Sequence, residues 1–149
     1  MTIEEEIKQQ KFRTPQQKAI LNILFTANWI QNKQKEFFEP HGITGQQYNI
    51  LRILRGKHPN QISAAEIKTR MLDKNSDVSR LIDRLILKEL VVKTQCPKDK
   101  RAFDIIISET GLELLRKLDT TINKLDHQVI GLSNDDAIIL SDMLDKGRS

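Results

Sequence analysis

Apolar positions along this chain fall into helical spacing almost everywhere, with one short β-like interruption. From Thr14-Pro15 to about Glu39, Ile20, Leu24, Ala27, Ile30, Phe37 and Phe38 mark a long helix. Pro at its first position loses no needed N–H, and Pro40-His41-Gly42 ends it. Thr44-Gly45 precedes a second helix, Gln46 to about Arg55. Its inward face is Tyr48, Leu51 and Leu54, flanked by Ile50 and Ile53. Gly56 to Asn60 reads as a loop. Ile67 and Met71 predict a short helix over Ser63–Leu72, with Ser63 and Glu66 in capping-box spacing. Asp73, Lys74 and Asn75 form a polar turn with Asn75 as candidate N-cap. Val78, Leu81, Ile82, Leu85 and Ile86 then define the apolar face of a helix from about Asn75 to Lys88.

Leu90–Val92 and Ile105–Ile107 are the only strand-like runs, joined by a turn from Cys96 to Arg101. Glu109 to about Val129 follows as a second long helix. Leu112, Leu115, Leu118, Ile122, Leu125 and Val129 lie close to a heptad seam. Gly131-Leu132-Ser133 interrupts it. Ser133 and Asp136 then open a last helix whose Ala137, Ile138, Ile139, Leu140, Met143 and Leu144 are too apolar for water. Residues Thr2–Arg13 allow one further short helix, with Ile3 and Ile7 on one side.

Helix, short polar turn, helix, then a hairpin with a cationic tip is a winged helix-turn-helix. The second helix would offer its N-terminal side chains to a DNA major groove, and the tip would reach a minor groove. Charge placement agrees. From Lys68 to Arg101 there are ten Lys or Arg and five Asp or Glu, a net +5, whereas the whole 149-residue chain carries +4. The excess lies where phosphates would be met. A solvated basic surface is the plain alternative for the charge alone.

Candidate DNA contacts are Lys74, Asn75, Ser76, Ser79, Arg80 and Arg84 at the helix, and Lys98, Asp99, Lys100 and Arg101 at the wing. Ser and Asn read base edges, and Arg grips guanine or phosphate. Asp77 either rejects some bases or supports the helix N-terminus. Asp99 is expected to orient Arg101 by a charged hydrogen bond. For Arg80 the competing role is a salt bridge to Asp77 or Asp83. For Arg84 it is a solvated side chain.

The segment resembles the MarR family of bacterial transcription regulators. The likeness is carried by SDVSRLIDRL (76–85), KELV (88–91) and DKRAFDIIISETG (99–111). In layout it runs from about Pro15 to the end. One departure is Glu89, where family members commonly have Gly, which leaves the local turn geometry open but not the fold. The resemblance implies a mainly α fold with a small β-hairpin. A winged helix-turn-helix over about 44–108 would be flanked by dimerisation helices over about 15–40 and 109–146, all in a single domain. It also implies a homodimer on a pseudo-palindromic operator, acting as a ligand- or stress-responsive repressor. A small aromatic or anionic effector would sit between the dimer helices and the winged part. Trp29, Phe37, His41, Tyr48 and Arg52 are the residues here that can line such a site, although a Trp or Phe at helical spacing is often core.

Other chemistry is sparse. His41, His58 and His127 lack metal-ligand spacing, and no cofactor-binding or nucleophile motif occurs, so no enzyme is expected. Cys96 lies near Lys93, Lys98 and Lys100, which makes it a candidate redox thiol at the wing. The family's sensing cysteine near the first long helix has no counterpart here. A single cysteine excludes an internal disulfide, and no apolar run spans a membrane. Together with the acidic start MTIEEEIKQQ, this predicts a cytoplasmic protein. The alternative to a DNA reader is a winged-helix module that binds protein, since fold alone does not fix function.

Overall fold

A computed structural model describes residues 1–95, 98, 99 and 101–149. Cys96 and Lys100 lie outside the described residues. Every helix longer than one turn begins on a side-chain cap where the sequence offers Ser, Thr or Asp. Thr14 caps α2 (Pro15–Phe38), and Thr44 with Gln47 forms a full capping box on α3 (Gly45–Lys57). Ser63 caps α4 (Ala64–Arg70) and Asp77 caps α5 (Val78–Leu87). Ser108 caps α6 (Glu109–Val129), and Ser133 caps α7 (Asn134–Arg148). Each oxygen accepts an otherwise unpaired N–H of the first turn. The N-terminal segment contains only α1 (Ile3–Glu6), a single turn boxed by Thr2 and Glu5, rather than a helix running toward Arg13. The Glu4 carboxylate pairs with the Lys18 ammonium on α2. That hydrogen bond holds Glu4 below the usual carboxylate range.

Several boundaries differ from the sequence reading for identifiable reasons. Helix α4 is shorter at both ends than Ser63–Leu72: Ser63 belongs to β1 (Ile62–Ser63) opposite Asp104, and Met71 is already extended. Its Glu66 carboxylate does not reach back to complete a capping box. It takes Arg70 at 2.8 Å and Lys57 at 4.0 Å instead. Helix α3 runs through Gly56 to Lys57, past the predicted end at Arg55. The wing is not a lone hairpin. β2 (Val91–Gln95) and β3 (Phe103–Ile107) pair antiparallel, and β1 adds a third strand on the far side of β3, with Ile62 opposite Ile105.

One core holds the winged part together. Ile50, Leu51 and Leu54 of α3, Ile67 and Met71 around α4, Leu81, Ile82 and Leu85 of α5, Ile105 and Ile107 of β3, and Leu112, Leu115 and Leu118 of α6 form a continuous buried cluster. Arg55 reaches from α3 to Asp119 of α6 at 2.7 Å. The α6 seam is buried at Leu112, Leu115, Leu118, Leu125 and Val129. The two remaining faces are bare: α7 buries no residue, and Ile20, Ile23 and Leu24 of α2 are about half exposed.

The junction after α5 is built on a residue in an uncommon conformation. Glu89 has φ 60°, in the left-handed region. Its N–H donates to Ile86 O at 2.9 Å, and Leu90 N–H donates to Leu85 O at 3.0 Å. This is the Schellman pair, with apolar Leu90 packed near Leu85. The turn that Glu89 left open thus takes the glycine-type geometry without glycine. Gly111 fills the opposite need. A Cβ there would overlap Leu90 O and lie 2.7 Å from Ile107 Cγ1.

Two substitutions should move stability in opposite directions in urea unfolding. Glu89→Gly should raise it by about 0.5–1 kcal/mol, since the left-handed cost for a non-Gly residue outweighs glycine's entropy. Gly111→Ala should lower it by about 1–3 kcal/mol, because overlap with a backbone carbonyl outweighs a helix-propensity gain of about 1 kcal/mol.

Candidate nucleic-acid interface

Helix α5 is divided lengthwise. Val78, Leu81, Ile82 and Leu85 are buried, while Ser79, Arg80, Asp83 and Arg84 face solvent. The helix starts at Val78, three residues later than the pattern suggests. The intervening residues form a turn: Asp73 Oδ1 accepts from Asn75 N–H at 2.9 Å, and Asp73 O accepts from Ser76 N–H at 3.2 Å. Asp77, not Asn75, is therefore the N-cap, with Oδ1 accepting from Arg80 N–H at 3.2 Å. Asp77 supports the helix N-terminus, where negative charge is favoured.

The expected contacts sort clearly. Asn75, Ser79, Arg80 and Arg84 are all exposed. Asn75 and Ser79 share an open cleft of about 450 Å³ between α4 and α5 with Lys68, a cation the motif reading did not single out. Its position at the head of the +5 stretch was the available signal. Neither guanidinium on α5 forms an ion pair among the described residues. Asp83 faces Lys93 at 3.9 Å instead, so the Arg80 salt bridges to Asp77 or Asp83 do not form. Lys74 is exposed, and its ammonium donates to Thr69 O at the end of α4. Ser76 is a correction. It borders the same cleft but is only 5% exposed, and its hydroxyl is buried without a hydrogen-bond partner, so it is not an open side chain like Asn75 and Ser79.

At the wing, Lys98, Asp99 and Arg101 are exposed. Asp99 does organise Arg101, but through the backbone: Oδ1 accepts from Arg101 N–H at 2.9 Å, and Asp99 O accepts from Ala102 N–H at 3.1 Å. The carboxylate thus shapes the turn rather than aiming the guanidinium. Lys93 was also missed. Its ammonium lies 3.9 Å from the Phe103 ring centroid while facing Asp83, linking wing and α5.

The residues expected around an effector divide into two places. Phe37 lies 5.8 Å from His41, and Phe38 stacks on Tyr48 at 4.7 Å, where α2 meets α3. Phe37 and Tyr48 pack on the core. Burial pushes the Tyr48 phenol up, with Asp119 and Asp126 adding to it and Arg55 and Arg52 opposing. Arg52 donates to Asn49 Oδ1 at 2.8 Å. Trp29 lies elsewhere, in an open groove of about 610 Å³ with Phe25, Val129, Leu132 and Leu140.

Comparison with known proteins places this geometry. The MarR family profile matches residues 41–102, from the end of the 3₁₀ turn after α2 to the wing. A MarR transcription factor from Planctomyces limnophilus superposes with a TM-score of 0.72 at 29% identity, over 91% of this chain and 98% of that one. The winged part of this chain is thus similar to the MarR family. The chain is also 35% identical over 82 residues to the HTH-type transcriptional repressor MdtR of Bacillus subtilis (strain 168). That match takes in 55% of this chain and 52% of MdtR, about half its length. A MarR family regulator from Streptomyces coelicolor, solved in complex with DNA, shares the fold with a TM-score of 0.80 at 18% identity. It covers 93% of this chain and 89% of that one. Among the described residues no helix is long and apolar enough to cross a membrane.

Ser76→Ala tests the assignment of that residue to packing. Deleting an unsatisfied buried hydroxyl should leave the urea midpoint unchanged or raise stability by up to about 1 kcal/mol. A loss of that size would instead assign the hydroxyl a structural partner.

Proposed function

We propose that this chain is a MarR-family, sequence-specific DNA-binding transcriptional regulator, that it acts as a homodimer in the cytoplasm, and that it is not an enzyme. The observation that carries the reading is the pair Arg80 and Arg84. Both are exposed on a helix whose opposite face is buried, and neither is held by an acidic side chain among the described residues. Uncommitted guanidinium groups on a rigid helix suit bidentate contact with guanine or with phosphate. Asn75 and Ser79 add base-reading groups beside them. Lys74, Lys98 and Lys100 supply phosphate contacts, and Arg101 enters the minor groove from the wing.

The bare apolar faces support pairing of two chains. Ile138, Ile139 and Met143 of α7 are each more than half exposed, as are Ile20 and Leu24 of α2. Packing first and last helices of two chains together would cover them, within a single domain per chain. A two-fold dimer would set the two α5 helices about one DNA turn, roughly 34 Å, apart and so read a pseudo-palindrome. Repression fits the description of MdtR as a repressor. Relief would come from a small aromatic or anionic effector that binds the DNA-incompetent state better. The Phe37, His41, Tyr48 and Arg52 region is the nearer candidate seat, with the Trp29 groove separate from it.

The test begins by selecting an operator from random-sequence DNA. Fluorescence anisotropy then compares it with a scrambled duplex at several salt concentrations. The wild-type protein should prefer the operator and lose affinity steeply with salt. Arg80→Ala and Arg101→Ala should each weaken operator binding about tenfold or more. Failure to enrich any sequence, with weak binding indifferent to both variants, would point to a protein-binding winged helix.

A further inference from the structure

Lys88 follows α5 as its C-terminal cap residue and carries no acidic partner among the described residues. Its ammonium turns back across the fold to the junction between α2 and α3. There it donates to Gly42 O and, at 3.0 Å, to Gln47 Oε1. Both acceptors belong to a firmly built corner. Gly42 closes the 3₁₀ turn after α2 with φ 72°. Gln47 is 2% exposed, and the same Oε1 accepts from Thr44 N–H at 3.1 Å to complete the α3 capping box. Among the described residues these are the side-chain hydrogen bonds that tie the end of α5 to the α2–α3 corner.

We infer that Lys88 is a positioning residue for DNA recognition: it sets the angle of α5 against the frame formed by α2 and α3. This rests on the DNA-binding reading above. The geometry explains why one tether matters. Helix α5 has ten residues and is about 15 Å long. Its first turn is fixed by the Asp77 cap, and its apolar face rests on the core, which permits rocking more readily than translation. The far end runs into β2 and α6 through Glu89 and Leu90, and the Lys88 ammonium adds charge-assisted hydrogen bonds that tie it to the α2–α3 corner. Base-edge readout needs side chains within about 0.5 Å of their productive place. A rocking helix would therefore lose sequence discrimination before it lost general attraction to phosphate. The same corner adjoins the Phe37, Phe38, His41 and Tyr48 rings, so the tether ends where the long helix enters the winged part.

The experiment uses the full chain with the selected operator duplex and a scrambled duplex, across a salt series. Lys88→Met keeps the stem and removes the donor, while Lys88→Arg keeps donors. Lys88→Met should lose about tenfold in operator affinity, the scale of a charged hydrogen bond. Its affinity for scrambled DNA and its salt slope should stay close to wild type, and Lys88→Arg should restore operator binding to within about threefold. If Lys88→Met does not fold, Lys88→Gln compared with Lys88→Arg supplies the same contrast. Equal loss on both duplexes, with the salt slope smaller by about one, would make Lys88 a direct phosphate contact and overturn the inference. Unchanged operator affinity in Lys88→Met would overturn it as well. If the wild-type protein itself does not distinguish the duplexes, the DNA reading fails and this inference with it.

Discussion

The peptide from Glu89 to Leu90 is the crossing on which this fold depends. Leu90 N–H closes α5 by bonding to Leu85 O, and Leu90 O receives Ser108 N–H at 3.0 Å. Glu89 O receives the Ser108 hydroxyl at 2.8 Å, and that hydroxyl also caps α6 by accepting from Gly111 N–H. Two residues thus end the exposed helix, begin the wing and fix the start of the long C-terminal helix. Buried backbone groups must be paired, and here one dipeptide pairs groups from three elements. The left-handed turn at Glu89 and the missing Cβ at Gly111 are the local concessions that allow so close a meeting.

That crossing determines how charge is displayed. Because α5 is pinned on its apolar side, its polar side is presented as a fixed row rather than as freely moving arms. Some cations of the basic stretch already have partners within the chain: Arg70 pairs with Glu66, Lys93 with Asp83 and Phe103, and Lys88 with Gly42 and Gln47. Arg80, Arg84, Lys98 and Arg101 have no such ion-pair commitment among the described residues. A net charge of +5 therefore overstates the local supply of free cations, and the arrangement of the uncommitted ones matters more than the sum.

The sequence made long, strongly capped elements easy to see. Thr14-Pro15 and Ser108 pair a capping oxygen with a sustained apolar stripe, and α2 and α6 begin where those signals lie. Short or competing signals were harder to read. β1 has two residues, too few for alternation to register. Between α4 and α5, Asp73, Asn75 and Asp77 are all capable caps, and only three-dimensional hydrogen bonding selects Asp77. Ser76 lies in that turn, where no period distinguishes a buried face from an exposed one. Glu66 and Asp99 were placed in the right motifs but with different partners, since spacing fixes neighbourhood and not which hydrogen bond forms. The aromatic set failed in a similar way. Trp29 lies two turns before Phe37 on α2, and that separation along the axis puts them in different surroundings.

Helix α7 has 15 residues and buries none of them against its own chain. A helix of that length is marginal alone in water. In the pairing of two chains proposed above, its order would come from the partner's surface, so its folding and that packing would form one equilibrium governed by mass action. Abundance itself would then be an input: dilution would cost the protein helix as well as association, and its response to copy number would be steeper than proportional.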